Sequence, residues 1–262
     1  MIVRVFGILC LTLSVVFAWA WRDYQIFVER SIVKESPLVI DIQKGSSFNR
    51  IIQNVLDQKH PADRLWFKLL ASQQGLINQL KAGEYELAVG MTPPEFLVLL
   101  SQGKVRQHTI TFPEGMTFKE MREALVQNTY IEDTLTELTD IDILQKMKVN
   151  ALHPEGLFFP DTYRFEKQTT DLVILQRSYQ KMGRVLAKQW ANKSEKLPLK
   201  SAYEALILAS IVEKETGDIS ERPIIAGVFI LRLKQGMRLQ TDPTVIYGMG
   251  DSYQGNIRKK DL

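Results

Sequence analysis

The chain contains one cysteine, Cys10, so disulfides within the chain and Cys-ligated zinc are excluded. Everything after the first apolar run is cysteine-free, which suits an oxidising compartment. Histidine is almost as scarce. His60, His108 and His153 lie far apart and form no His-Glu-x-x-His, which argues against a zinc hydrolase. Charge of one sign is also lacking: the net charge is +3, and the longest basic cluster, Arg258-Lys-Lys260, sits at the extreme C-terminus. Phosphate binding needs a concentrated basic patch, so no nucleic-acid partner is expected. There is no Gly-x-Ser-x-Gly and no phosphate-cradling glycine loop. Ser31-Ile-Val-Lys34 and Ser178-Tyr-Gln-Lys181 match Ser-x-x-Lys, but no Lys-Thr-Gly accompanies them, so a penicillin-binding-type serine enzyme is unsupported.

Long hydrophobic runs are confined to one place. Val5 to Trp21 carries no charge and is bounded by Arg4 and Arg22. That length is near the lower limit of about 17 residues for crossing a bilayer, and Trp19 and Trp21 suit an interface. Ala18-Trp-Ala20 also has the small-x-small form of a signal cleavage site. We read an uncleaved anchor over 1–22, with a cleaved signal as the competing reading. Asp23 to Ser36 reads as a mixed helical stalk, within a segment taken as 23–37.

The remaining 45% hydrophobic, charge-balanced sequence is ordinary globular material. Leu38-Val-Ile-Asp-Ile42 alternates like a strand, Lys44-Gly45 turns, and Ser46 or Ser47 caps a helix carrying Phe48, Ile51, Ile52 and Val55. The same order recurs at His108–Gly115, where Thr117 caps a helix with Phe118, Met121 and Leu125. It recurs more briefly at Tyr85–Gly90, followed by Thr92 and Pro93. This is repetition of one strand–turn–helix unit.

Glu132–Asn150 is acidic and then helical. Phe158, Phe159, Tyr163 and Phe165 surround Pro160-Asp161, a grouping that grips sugars in some proteins and is more often core. Asp171 is placed to cap a helix with apolar face Leu172, Leu175, Tyr179, Met182, Leu186 and Trp190. Arg222–Lys234 reads as a further amphipathic helix with Val228, Phe229, Leu231 and Leu233. Gln240, Thr241, Asp242 and Tyr247 follow on a loop and short helix, with Pro243 in the first turn.

The stretch Tyr203–Gly217 organises this half. From Ala205 to Val212 only Ser210 is polar, so a helix buried nearly all round is expected. It delivers Glu213 and Glu215 at its last turn, with Gly217 as the C′ stop. The helix dipole and partial burial both disfavour an ionised carboxylate there, which suits a general acid. Residues two apart point roughly 200° apart, so one cleft uses only one of the two. Glu215 continues the face of Leu208, Ile211 and Val212; Glu213 continues that of Leu206, Ala209 and Ser210. Periodicity does not choose between them.

Ala209-Ser-Ile-Val-Glu-Lys-Glu-Thr216 followed by Arg238-Leu-Gln-Thr-Asp-Pro-Thr-Val-Ile-Tyr-Gly248 closely resembles the endolytic murein transglycosylase (YceG-like) family. Glu155-Gly-Leu-Phe-Phe-Pro-Asp-Thr-Tyr163 and Lys81-Ala-Gly-Glu-Tyr85 match that family's pattern too, in the same order. The resemblance implies an α+β protein: a membrane helix, a small LysM-like domain over 38–105, and a mostly helical, lysozyme-related catalytic domain over 106–262. A purely structural spacer is the competing reading of 38–105. The resemblance makes Glu215 the catalytic acid/base and has Glu155, Asp161, Tyr163, Gln240, Thr241, Asp242 and Tyr247 line a glycan cleft. It implies peptidoglycan strands as substrate, wall synthases as partners, no metal or organic cofactor, and an inner-membrane protein with its catalytic domain on the periplasmic side. Family members continue with a Tyr-Asn-Thr-Tyr stretch and a Gly-Leu-Pro-Pro segment, whereas this chain stops at Asp261-Leu262, so it reads as a truncated member. The alternative function is a membrane-anchored peptidoglycan-binding scaffold without turnover.

Overall fold

The computed structural model describes residues 2–53, 55 and 62–259; His60, Lys260, Asp261 and Leu262 lie outside the described residues. The fold is mixed α+β and mostly helical, and it divides into two compact units, Met1–His108 and Thr109–Leu262.

The first unit opens with helix α1 (Ile2–Glu29). Its large apolar side chains from Val3 to Trp21 are exposed, and by length and composition it is able to cross a membrane. The same helix then continues into the first core. Tyr24 and Phe27 are buried, the Tyr24 hydroxyl donates to Gln73 Oε1 at 2.8 Å, and Trp66 Nε1 donates to Asp23 Oδ2 at 2.8 Å. Arg30 is paired with buried Asp63, and Val33 is buried beyond it. The segment read as a stalk therefore packs into a core instead of projecting, because its aromatic residues have neighbours to bury against.

Strand β1 (Leu38–Ile42) and strand β2 (Gly83–Leu87) pair antiparallel, with Ile40 opposite Tyr85. Between them run α2 (Phe48–Gln53) and α3 (Asp63–Gln73), and α4 (Pro93–Gln102) follows. Helix α2 stops at Gln53, short of Val55, and Ser47 Oγ accepts from Arg50 N at 3.4 Å. Phe67, Tyr85, Leu87, Phe96 and Leu100 are essentially solvent-free. Each such side chain contributes roughly 1.5–3 kcal/mol by leaving water. The Lys81–Tyr85 segment has a structural role here. The Tyr85 hydroxyl donates to the Lys81 carbonyl at 2.9 Å, and buried Glu84 meets His108 Nε2 at 2.8 Å.

The second unit opens at Thr109, within β3 (Gln107–Thr111), which pairs with β5 (Thr162–Glu166). β4 (Ile131–Glu132) and β6 (Thr169–Thr170) form a short parallel pair. The helices are α5 (Phe118–Gln127), α6 (Asp140–Lys146), α7 (Asp171–Ala191), α8 (Ala202–Glu215), α9 (Arg222–Lys234) and α10 (Asp242–Met249). The repeated unit read in the sequence is present three times. Gly45, Gly90 and Gly115 take φ of 81°, 89° and 75°, and Ser47, Thr92 and Thr117 stand two residues on, before α2, α4 and α5. Only glycine adopts that left-handed turn cheaply.

Several expectations are corrected. Thr170, not Asp171, is the N-cap of α7; its side chain accepts from Val173 N. Asp171 is instead buried at 2% exposure, accepting from Thr134 N, Thr134 Oγ1 and Leu135 N at 2.9, 2.6 and 3.1 Å. The buried face of α7 is Ile174, Leu175 and Ser178, with Leu172 and Tyr179 partly covered. Helix α8 is buried on one face only, Leu208, Ile211 and Val212, while Ile207, Ala209 and Ser210 are exposed. Of the apolar residues on α9, Phe229 is buried, whereas Val228 and Leu231 are exposed. The backbone of α8 ends in extended Thr216, and Gly217 does not take a left-handed conformation.

Candidate active site

The candidate site lies within the second unit, at the C-terminal end of α8. The buried stripe Leu208, Ile211, Val212 packs on Phe229 of α9 and fixes which way the last turn faces. One turn beyond Ile211, at the i+4 position on that stripe, stands Glu215. Its Oε1 accepts a hydrogen bond from the Thr241 hydroxyl. Thr241 is 5% exposed, whereas Glu215 itself is exposed, so the carboxylate is presented from a covered support. The burial expected around Glu215 is absent.

Glu213 points elsewhere. Its Oε1 accepts from Arg222 Nη2 at 2.8 Å, in a pair with side-chain exposures of 24% and 32%. A partly covered, hydrogen-bonded charge pair commits both groups to each other. The two glutamates thus differ in kind: one is held by a guanidinium, the other by a neutral hydroxyl. Arg222 lies nine residues along the chain, and no spacing rule pointed to it.

Helix α10 links the second part of the site. Thr241 stands at its N-cap, and Tyr247 in its last turn donates to Glu155 Oε2 at 3.3 Å. Glu155 also accepts the backbone N–H of Phe118 at α5's first position, at 3.2 and 3.3 Å to its two oxygens. A carboxylate is favoured at a helix N-terminus by the exposed N–H groups and the dipole. The pKa of the Tyr247 phenol is raised, chiefly by desolvation and then by the Glu155 charge, although the residue as a whole is 60% exposed. The rim is completed by the turn at Gly115, where the side chains of Lys214 and Glu213 approach, and by Leu206 beside Gly156.

The remaining residues named from the sequence are less closely gathered. Gln240 and Asp242 are exposed beside Thr241. Gln240 has φ of 53°, a left-handed backbone rarely taken by non-glycine residues. Asp161 is paired with Lys181, and its carbonyl accepts from Phe112 N at 3.0 Å. Tyr163 is buried, and its hydroxyl donates at 2.6 Å to the Phe159 carbonyl, which also accepts from Ser178 Oγ at 3.1 Å. Phe158 stacks on Phe118 with centroids 5.0 Å apart. Phe158, Tyr163 and Phe165 are therefore core, and the 155–163 stretch braces the site more than it faces it. No group of metal-ligating side chains occurs among the described residues.

Fold and site together define a mixed α+β protein with one exposed carboxylate held by a buried hydroxyl. The sequence profile of the YceG-like family matches residues 40–262, and the chain belongs to that family. It is 28% identical over 240 residues to the endolytic murein transglycosylase of Bacillus subtilis (strain 168), a match covering 85% of this chain and 66% of that protein. It is likewise 28% identical over 212 residues to the endolytic murein transglycosylase of Streptococcus pneumoniae serotype 2 (strain D39 / NCTC 7466), covering 70% of this chain and 38% of that one. The chain therefore spans about two thirds and well under half of these relatives' lengths. A 2.6 Å crystal structure of a yceG-like protein from Listeria monocytogenes is similar at 25% identity and a TM-score of 0.47, over 86% of this chain and 79% of that one.

Proposed function

We propose that the protein is a lytic transglycosylase that cuts peptidoglycan strands inside the chain, at the β-1,4 bond between N-acetylmuramic acid and N-acetylglucosamine. Glu215, as the acid, protonates the bridging oxygen as the C1–O bond breaks, and N-acetylglucosamine leaves with a free 4-hydroxyl. The carboxylate so formed then takes the proton from the muramic acid's own 6-hydroxyl as that oxygen closes on C1. The product carries a 1,6-anhydro end and the acid is regenerated. Because the nucleophile belongs to the substrate, one carboxyl group serves both steps, where most glycosidases need a pair. The observation that carries this reading is the contrast at the end of α8: Glu215 is exposed on a hydroxyl support while Glu213 is tied to Arg222.

The finer placement belongs to the same proposal. Glu155, Asp161, Tyr163, Gln240, Asp242 and Tyr247 form or brace the glycan cleft. The two antiparallel strands and intervening helices of the first unit resemble a LysM-like glycan-holding module, and the catalytic unit a lysozyme-related one. Helix α1 serves as a single-pass anchor in the inner membrane, with its N-terminus in the cytoplasm and the chain beyond the apolar stretch on the periplasmic side, near the wall synthases. Support for the anchor is the exposed apolar stretch Val3–Trp21, running without a break into the packed half of the same helix.

The test is mass spectrometry of purified glycan strands incubated with the full chain in detergent. Anhydro-ended fragments are expected from the wild type and from Glu213→Gln, at reduced yield for the latter, and none from Glu215→Gln. Products from Glu215→Gln would overturn the assignment. Retention on insoluble murein with no products from any form would favour glycan binding without turnover.

A further inference from the structure

We propose that Arg232 and Thr241 form a positioning device for Glu215, with the backbone at Gln240 as its hinge. The inference rests on the reading of Glu215 as the acid/base and goes beyond it by naming what aims the carboxyl group. It starts from a helix cap that is not used as one. Thr241 occupies the N-cap of α10 with extended backbone (φ −117°, ψ 125°), yet its side chain makes no capping bond. A threonine there ordinarily accepts an N–H from the first turn of its own helix. Here the hydroxyl is turned to Glu215 Oε1. Helix α10 forgoes its cap, and the carboxylate gains a donor.

The chain leading to Thr241 is shaped for that purpose. Helix α9 ends at Lys234, and left-handed Gly236 (φ 66°) reverses the backbone over its last turn, with Met237 N donating to the Arg232 carbonyl at 2.9 Å. The Arg232 guanidinium then donates through Nη1 to the carbonyl of Leu239. The next residue, Gln240, carries the positive φ of 53°. Such a backbone persists only where the surroundings hold it on both sides. Arg232 holds the residue before it. The residue after it, Thr241, is 5% exposed, with its own carbonyl accepting from Thr244 Oγ1 at 2.8 Å.

The consequence is chemical. A carboxyl group that gives a proton to one oxygen and takes one from another must stay aligned through both steps, and misplacement by about 1 Å costs on the order of 100-fold in rate. With Oε1 engaged by Thr241, Oε2 is the oxygen left to face the substrate. The Arg232 guanidinium bonds the Leu239 carbonyl and not Glu215, so it is a positioning residue acting through the loop.

The experiment compares the full chain in detergent with Thr241→Val, Thr241→Ser, Arg232→Met and the Glu215→Gln control, on purified glycan strands. Thr241→Val keeps the shape and removes the hydroxyl. Its kcat is expected to fall roughly 10- to 100-fold with KM within about twofold, as for an alignment loss. Thr241→Ser should recover most of that loss, and Arg232→Met should act in the same direction by a smaller factor. Equal loss in Thr241→Val and Thr241→Ser, or a change in KM alone, would overturn the positioning role. An inactive Glu215→Gln beside a fully active Thr241→Val would overturn this inference alone. An active Glu215→Gln would instead overturn the functional reading beneath it.

Discussion

At the scale of the residue, the site is held by bonds between distant chain positions that no local pattern reveals. Glu155 and Tyr247 were both singled out by resemblance, but their bond at 3.3 Å joins residues far apart in sequence. The carboxylate does two jobs, taking the Phe118 N–H as well as the Tyr247 hydroxyl. Removing an acceptor shared by two donors costs more than removing one donor. Tyr247→Phe is therefore expected to lower stability by about 0.5–1.5 kcal/mol, and Glu155→Ala by about 2–3 kcal/mol. The double variant should show a coupling of about 0.5–1.5 kcal/mol in urea unfolding. Additive effects would mean that the two side chains do not bond in solution. The same limit explains Arg222 and Arg232: an arginine's partner is fixed by tertiary packing, and the sequence around it carries no sign of which carboxylate or carbonyl it will meet.

At the scale of the element, what was legible is what is local. The glycine turns and a capping hydroxyl just after each are legible at all three places, with Ser46 and Ser47 both open at the first and Ser47 the one used, because both act within a few residues of themselves. Thr117 shows the cap in full: its N–H and hydroxyl donate to Glu120 Oε2 at 2.7 and 2.8 Å, while its side-chain oxygen accepts from Glu120 N at 3.3 Å. Gly115→Ala should cost about 1–2 kcal/mol, the penalty for a Cβ in the left-handed region. At Gly45 an added Cβ meets nothing within 4 Å, whereas at Gly115 it meets Lys214 at 3.4 Å. Lys214 is long and yields easily, so the two substitutions should agree within roughly 0.5 kcal/mol by thermal unfolding. A much larger loss at Gly115 would show that Lys214 is rigidly seated against the turn. Burial, by contrast, was misread on α8 and α9. Apolarity sets what a side chain would gain by leaving water, but not whether a neighbour is there to cover it. Ile207 and Leu231 are exposed for that reason.

At the scale of the whole molecule, two units with separate cores carry unequal sets of perturbed groups, and pH separates them. In the second unit, Glu120 has its pKa lowered first by the Thr117 N–H and then by the Thr117 hydroxyl, and Asp133 has its pKa lowered first by the Thr136 hydroxyl. A carboxylate depressed in the fold adds stability above its ordinary pKa, and that stability is lost as pH falls through the folded value. In the same unit Tyr163 and Tyr247 are raised, chiefly by desolvation. A raised phenol works in the opposite sense: its contribution is intact below about pH 10 and is lost as pH rises through the folded value. In the first unit Glu95 is lowered, first by the Thr92 N–H. Urea unfolding of the full chain across pH should therefore show stability falling below about pH 4.5 and again above about pH 10. Glu120→Gln should flatten the acid limb and Tyr163→Phe the alkaline limb, each leaving the other unchanged. If Glu120→Gln leaves the acid slope intact, the cap of α5 is not formed in solution, and the turn at Gly115 loses the support that places it beside the candidate site.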